Sequence, residues 1–258
     1  MLLGQAPRGV ETRPAEVGTR QGRRRPGAHR NGGRLADEQN NARAQFQLGI
    51  MYEKGRGVAQ DDGESAKWYR LAAERGNAYA QNSLGFMYEK GRSLPQEDGE
   101  ALKWYRLSAE QDNFHAIDSI GTFYVEGRGG LAQNDLEACQ WYRLAAEQGN
   151  ARAQYHFSVM LFLGRGVAQS DDEGQPWLYR AATAGDESAQ YLLGMMYAEG
   201  LAGIAYDVVQ AMAWLKMAAQ QGHAAARLTY DRLKDALPEV DEDAVQKILI
   251  ITDLGEQL

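Results

Sequence analysis

Along residues 41–222, small and apolar residues return at steps of three and four, as on one face of an α-helix, and the pattern restarts every 36 or 37 residues. The tryptophans mark the period: Trp68, Trp104, Trp141, Trp177 and Trp214. Cutting at the Asn or Asp that opens each copy gives five units, 41–76, 77–112, 113–149, 150–185 and 186–222. A partial sixth begins at His223 and runs, with a C-terminal capping helix, over 223–258. The extra residue in the third and fifth units falls near Gly130 and Ala202–Gly203, in loops where insertions cost little.

Each unit predicts two helices. Helix A opens at Asn41, Asn77, Asn113, Asn150 or Asp186, all good N-cap residues, and His223 fills the same slot. Helix B opens on DDGE, EDGE, NDLE, SDDE or DVVQ, a cap residue with Glu or Gln three positions on, with Glu97 the weak cap. It ends at Gly76, Gly149, Gly185 or Gly222, with Asp112 in that slot of the second unit. The A–B connection, GRG in three units, reads as a flexible turn. Gly49, Gly85, Gly121 and Gly194 share one mid-helix position, with Ser158 in the fourth unit. A mid-helix glycine costs about 1 kcal/mol relative to alanine, so this repeated choice predicts close backbone approach. One hairpin cannot bury such a face alone, whereas stacked hairpins can.

The stretch LGIMYEKGRGVAQDDGESAKWYRLAAERGNAYAQ (48–81) resembles a Sel1-like repeat, a relative of the tetratricopeptide repeats, and the likeness extends over about 41–236. The resemblance implies an all-α fold, an α/α superhelical solenoid of stacked helix-turn-helix repeats that serves as a scaffold or adaptor. Some members are cysteine-rich secreted proteins with a disulfide in each repeat. With Cys139 alone, this chain cannot form an intrachain disulfide. The fourth unit departs from the pattern: Ser158 replaces the glycine, Leu161 the tyrosine, and Pro176 falls inside helix B, where it should kink or delay the helix.

The copies align against one another. Counting from the opening Asn or Asp, positions 4, 8, 11, 12 and 15 stay small or apolar, whereas 3, 6, 10 and 13 vary. Those four share a stripe roughly opposite the invariant one. The stripe holds Arg43, Phe46 and Ile50; Tyr79, Asn82 and Phe86; His115 and Asp118; Arg152, Tyr155, Val159 and Phe162; and Tyr191 and Met195. Aromatics on a face turned from the core read as a recognition surface. In related solenoids helix A lines the concave wall, so the resemblance implies the same surface. Its centre is expected near Tyr155, Val159 and Phe162, flanked by Phe86 and Tyr191. Burial of these side chains between neighbouring A helices is the competing reading.

Charge narrows the partner. The net charge is −7, but residues 1–34 hold eight Arg against two Glu, and the rest holds 20 Lys and Arg against 33 Asp and Glu. So acidic a body argues against nucleic acid. Residues 1–33, rich in Arg, Gly and Pro, are expected to be a disordered arm. Residues 34–40 (RLADEQN) match the tail of a helix B (RLAAEQG, 143–149) and read as the remnant of a preceding repeat. That implies a broken or misassigned start, which would hide any export signal. No apolar run reaches the ~18 residues of a membrane span. Pro238 should stop one helix, and Val245, Ile248, Leu249 and Thr252 should line a capping one.

Catalytic and metal chemistry finds no support. His29, His115, His156 and His223 lack ligand spacing. Cys139 shares its column with Ala66, Leu102 and Met212 and reads as a buried hydrophobe. Asp61–Asp62 and Asp171–Asp172 belong to helix starts, and GRGG at 127–130 lacks the strand and Lys-Ser/Thr of a phosphate loop. The tryptophans, with the Tyr that follows three of them, read as core. The expectation is a soluble, cytoplasmic, bacterial-type adaptor without cofactors or metal, binding a peptide or protein segment in its groove. The location becomes periplasmic or secreted if the start is misassigned. The alternative, from cysteine-rich relatives, is a hydrolase of cell-wall or β-lactam material; self-association through the N-terminal end is a third possibility.

Overall fold

The computed structural model describes residues 41–241 and 243–248. Eleven helices follow one another among them: α1 (Ala42–Lys54), α2 (Asp62–Glu74), α3 (Ala78–Lys90), α4 (Asp98–Ala109), α5 (Phe114–Glu126), α6 (Asp135–Glu147), α7 (Ala151–Leu163), α8 (Asp171–Thr183), α9 (Glu187–Glu199), α10 (Val208–Gln220) and α11 (Ala224–Ala236). Residues 243–248 are also helical, and the described residues contain no strand. Each helix packs on its neighbours in sequence, so α1–α10 form five hairpins stacked side by side in an all-α solenoid. The expectations for residues 1–33, 34–40, Leu249 and Thr252 lie outside the described residues.

The caps read from the sequence hold the helix ends. Asn41, Asn77, Asn150 and Asp186 each accept from the amide three residues on, and Asn113 from those of His115 and Ala116. His223 caps α11 through its Nδ1, which accepts from the Ala226 amide. Asp61, Asn134, Ser170 and Asp207 cap the B helices, whereas Glu97 makes no side-chain cap bond. The GRG segment opens with a helix stop. Gly55 takes φ of +64° and its amide donates to the Met51 carbonyl, closing α1 in the left-handed conformation that glycine adopts freely. Pro176 does not delay α8, which starts at Asp171 and runs for 13 residues. Pro176 and Asp172 are both exposed, so water can satisfy the carbonyl that the proline leaves without a donor.

The mid-helix glycines admit the B helix. A Cβ on Gly85 would lie 2.8 Å from the Tyr105 ring and 3.2 Å from the Ala101 carbonyl; one on Gly49 would lie 2.5 Å from Tyr69. The tyrosine therefore goes deeper than the tryptophan before it. Tyr69, Tyr105 and Tyr142 are buried, whereas Trp68, Trp104, Trp141 and Trp177 are half-buried and only Trp214 is enclosed. This corrects the expectation that the tryptophans form the core for four of the five, which are wedges between hairpins; Trp214 is core as expected.

Two ladders tie hairpin to hairpin. Arg92, Arg128 and Arg165 each grip the aspartate thirty residues earlier, Asp62, Asp98 and Asp135, with both carboxylate oxygens engaged. Gln81, Gln154 and Gln190 each donate to the carbonyl eight residues earlier, on the preceding B helix. In the first hairpin the equivalent Gln45 is fully buried and its Nε2 has no hydrogen-bond partner. At the other end, Val245 is buried against Met212 and Ala213.

Candidate functional site

The outward face of the A helices differs by one position from that expected. Eleven residues make about three full turns, so position 14 returns to within ~20° of position 3, while position 13 lies ~80° away. Positions 3, 10 and 14 accordingly lead the exposed stripe. Arg43, Tyr79, His115 and Arg152 are exposed at position 3, Phe86 at position 10, and Lys54, Lys90, Glu126, Leu163 and Glu199 at position 14. Tyr79 is 58% and Leu163 60% exposed. Leu163 and the two lysines were missed from sequence, although the eleven-residue return was there to be counted.

Position 13 points toward the partner helix. Glu53 and Glu89 accept from the Tyr69 and Tyr105 hydroxyls at 2.6 and 2.7 Å. Phe162 lies so close to α8 that a Cβ on Gly174 would sit 2.5 Å from its ring. Phe162 therefore belongs to the hairpin interior and not to the centre of a recognition surface. Asp118, at position 6, is fully buried, another departure from the expected lining. Phe46 stands 5.6 Å from Tyr69 and 6.0 Å from Tyr79, and Tyr191 stacks on His223 at 4.6 Å. Tyr155 packs with Phe162 against the cluster around Leu178 and Trp214. Ile50, Asn82, Val159 and Met195 are half-buried. For Phe46, Tyr155, Phe162 and Tyr191, burial by neighbours describes the contacts better than solvent exposure does.

A well-formed concavity lies earlier along the chain than expected. A cavity of about 600 Å³ extends from Glu53 and Tyr69 of the first hairpin, past Asn82, Phe86, His115 and Arg152, to Asp186 at the start of the fifth. Tyr155, Val159 and Phe162 lie outside its lining. Of the sequence-predicted residues it brings together Asn82, Phe86, His115 and Arg152, and it adds Ser83, Ser119 and Asn150. A second cavity of about 440 Å³ is floored by Cys139, Phe157 and Trp177.

One charged pair dominates the first cavity. The Arg152 Nε and Nη2 atoms both lie 2.5 Å from Asp118 Oδ2. Burial pushes the Asp118 carboxyl up against the downward pull of Arg152, and its Oδ1 has no hydrogen-bond partner. The Arg152 side chain is 55% exposed. Although His115 is exposed as a residue, partial desolvation of its ring, reinforced by the Arg152 charge, lowers its pKa; Asp118 opposes the shift. The same two effects pull His156, stacked on Tyr142 at 4.6 Å, down to about 4. Burial raises the Cys139 thiol, the reverse of what an activated nucleophile needs. Among the described residues no group of three or more His, Cys, Asp or Glu could hold a metal ion, and no helix is long and apolar enough to cross a membrane.

Comparison with known proteins fits this architecture. The Sel1 repeat model matches residues 42–77, 78–113, 116–150, 151–186 and 187–223, most of the chain, so the protein belongs to the Sel1 repeat family. Members of that family generally act as protein-interaction scaffolds. A Sel1 repeat protein from Oxalobacter formigenes is 37% identical with a TM-score of 0.69, over 78% of this chain and 80% of that one. The protein c5321, a protective antigen of uropathogenic Escherichia coli with an SLR fold, is 35% identical with a TM-score of 0.65. That match covers 79% of this chain but 44% of the antigen. The immunity protein PA5088 of Pseudomonas aeruginosa shares the fold at 20% identity, with a TM-score of 0.54 over 82% of this chain and 78% of that one. Among curated proteins, nothing matches the chain.

Proposed function

We propose that the protein is a non-enzymatic adaptor that holds a peptide or protein segment along the A helices of its first four hairpins. The observation that carries this reading is the 600 Å³ cavity spanning several hairpins, with Phe86 exposed on its wall. Single exposed aromatics are ordinary, but one set in a concavity between polar side chains is a fit anchor for a partner's apolar side chain. Asn82, Ser83, Ser119 and His115 around it supply hydrogen bonds that orient a chain. Binding is shape plus a few anchors, and specificity lies in the polar residues between them.

The test is a capture experiment with three full-length proteins. Phe86→Asp should lose the partner retained by wild type while keeping its helical circular dichroism. Leu144→Asp, on the exposed side of α6 and outside the cavity, should retain it. Retention by Phe86→Asp and loss by Leu144→Asp would move the binding surface to the B helices.

A further inference from the structure

The groove sorts its charges by depth. On the A helices of the first four hairpins the carboxylates Glu53, Glu89 and Asp118 turn inward. Glu53 and Glu89 receive tyrosine hydroxyls and Asp118 receives Arg152. The cations turn outward. Arg43 is exposed, Lys54 and Lys90 are 55% and 50% exposed, and Arg152 shows more than half of its side chain. The exposed carboxylate on those four helices is Glu126. This runs against the rest of the molecule, because residues 35–258 hold 33 acidic against 20 basic residues. In a body that acidic, four outward cations against one exposed carboxylate on these helices are a departure from composition; the cavity beside them is lined by Glu53 and Asp186 as well as Arg92 and Arg152. Lys54 and Lys90 sit against Glu53 and Glu89, but both glutamates are also engaged from behind by tyrosine. Arg152 is the most fixed of the four: Asp118 holds its Nε–Nη2 edge, which leaves the Nη1 side for a further acceptor.

Resting on the groove reading above, we infer that the segment held there is acidic, with aromatic or aliphatic side chains spaced between its carboxylates. One carboxylate takes the open edge of Arg152 in the cavity. Others meet Lys90, whose Nζ stands 5.7 Å from the Phe86 ring centroid, and Lys54, at the same position 14 one hairpin earlier. The apolar side chains cover Phe86 and Tyr79. A basic segment would bring its ammonium groups against these same outward cations, a like-charge contact that counts against it.

The experiment measures fluorescence anisotropy of three labelled twelve-residue peptides on the intact chain, at 50 and 200 mM salt. The first alternates Glu and Asp with Phe and Leu. The second carries Lys for every acid, and the third Gln. The acidic peptide should bind at least tenfold more tightly than either of the others and weaken as salt rises. The double variant Lys54→Gln/Lys90→Gln should weaken it about tenfold. Lys67→Gln/Lys103→Gln, which removes exposed cations of the B helices, should leave it unchanged. Equal or tighter binding of the Lys or Gln peptide, or no effect of Lys54→Gln/Lys90→Gln, overturns the inference. If those peptides bind and Phe86→Asp abolishes their binding, the groove stands and only its preference for acid is wrong. Absence of binding by all three at millimolar concentration removes both.

Discussion

The second and fourth hairpins fill the same interior in two ways. In α3–α4, Gly85 admits the Tyr105 ring, and the buried phenol donates to Glu89 at 2.7 Å. In α7–α8 the glycine is Ser158, the tyrosine is Leu178, and the glutamate is Phe162, which lies against Gly174. Ser158 returns its hydroxyl to the Tyr155 carbonyl at 2.7 Å. The first arrangement is polar and depends on a hydroxyl–carboxylate bond, while the second is apolar and depends on shape. The first hairpin follows the second, with Gly49, Tyr69 and Glu53. The third keeps Gly121 and Tyr142 but pairs the hydroxyl with Thr122 at 3.1 Å. A repeat thus tolerates either interior provided its columns change together, because a buried carboxylate without its donor is costly.

The largest expected effect comes from mixing the two arrangements. Phe162→Glu places a carboxylate beside Leu178, with no hydroxyl to receive and no ring against Gly174, and should cost about 3–5 kcal/mol. Adding Leu178→Tyr and Ser158→Gly restores the set found in α3–α4 and should recover a large part of that loss. Urea unfolding of the single and triple variants gives the coupling. A triple variant less stable than the single one would mean that the columns do not compensate.

A second contrast lies at position 7 of the A helices. The second and third hairpins place Ser83 and Ser119 there, the fifth Leu192, and the fourth His156, stacked on Tyr142. Burial, with Arg152, takes the imidazole from its ordinary 6.5 to about 4, while Asp186 pulls weakly the other way. A depressed histidine is neutral in the fold and charged in the unfolded chain between these values. Its contribution is therefore complete above pH 6.5 and is lost as pH falls toward 4, by about 3 kcal/mol. His156→Leu, copying the fifth hairpin, should flatten that part of the wild-type curve. Urea midpoints at pH 7.5 and 4.5 measure the difference, and parallel curves would show that His156 titrates normally.

Why one contrast was legible beforehand and the other was not comes down to what a column of residues reports. Caps are local: Asn41 or Ser170 needs only its own next turn, so helix starts can be read from single residues, down to the missing bond at Glu97. The glycines at 49, 85, 121 and 194 could be read because a recurrent cost implies a recurrent neighbour. Position 13 was opaque. Its Glu, Glu, Val, Phe and Ala look like the variation of a free surface, but they track the Tyr, Tyr, Tyr, Leu and Leu of the B helix. Four of the five tryptophans misled in the opposite direction, since invariance marked the wedge between hairpins rather than the deepest residue. Once position 13 turns inward, Phe162 leaves the open face, and the cavity is lined instead by Phe86, His115 and Arg152.

The smallest effect concerns the joints between hairpins. Arg165 of the fourth hairpin grips Asp135 of the third at 2.7 and 3.0 Å, and Arg128 and Arg92 repeat the grip earlier in the chain. The fifth hairpin has Leu201 in that slot, 46% exposed, and Gln175 instead donates to the Ala202 carbonyl. A two-point guanidinium–carboxylate rung that is still open to water contributes about 1 kcal/mol at most. Arg128→Leu, which copies position 201, should therefore lower stability by about that much, with the loss shrinking as salt rises. Because such rungs join neighbours, their removal should broaden the unfolding transition more than it shifts the midpoint, as expected where stability is a sum over adjoining repeats. Amide exchange would locate the change at the α4–α5 boundary. Uniform loss of protection across all five hairpins would instead mean that the stack unfolds as one unit, with the rungs too weak to divide it.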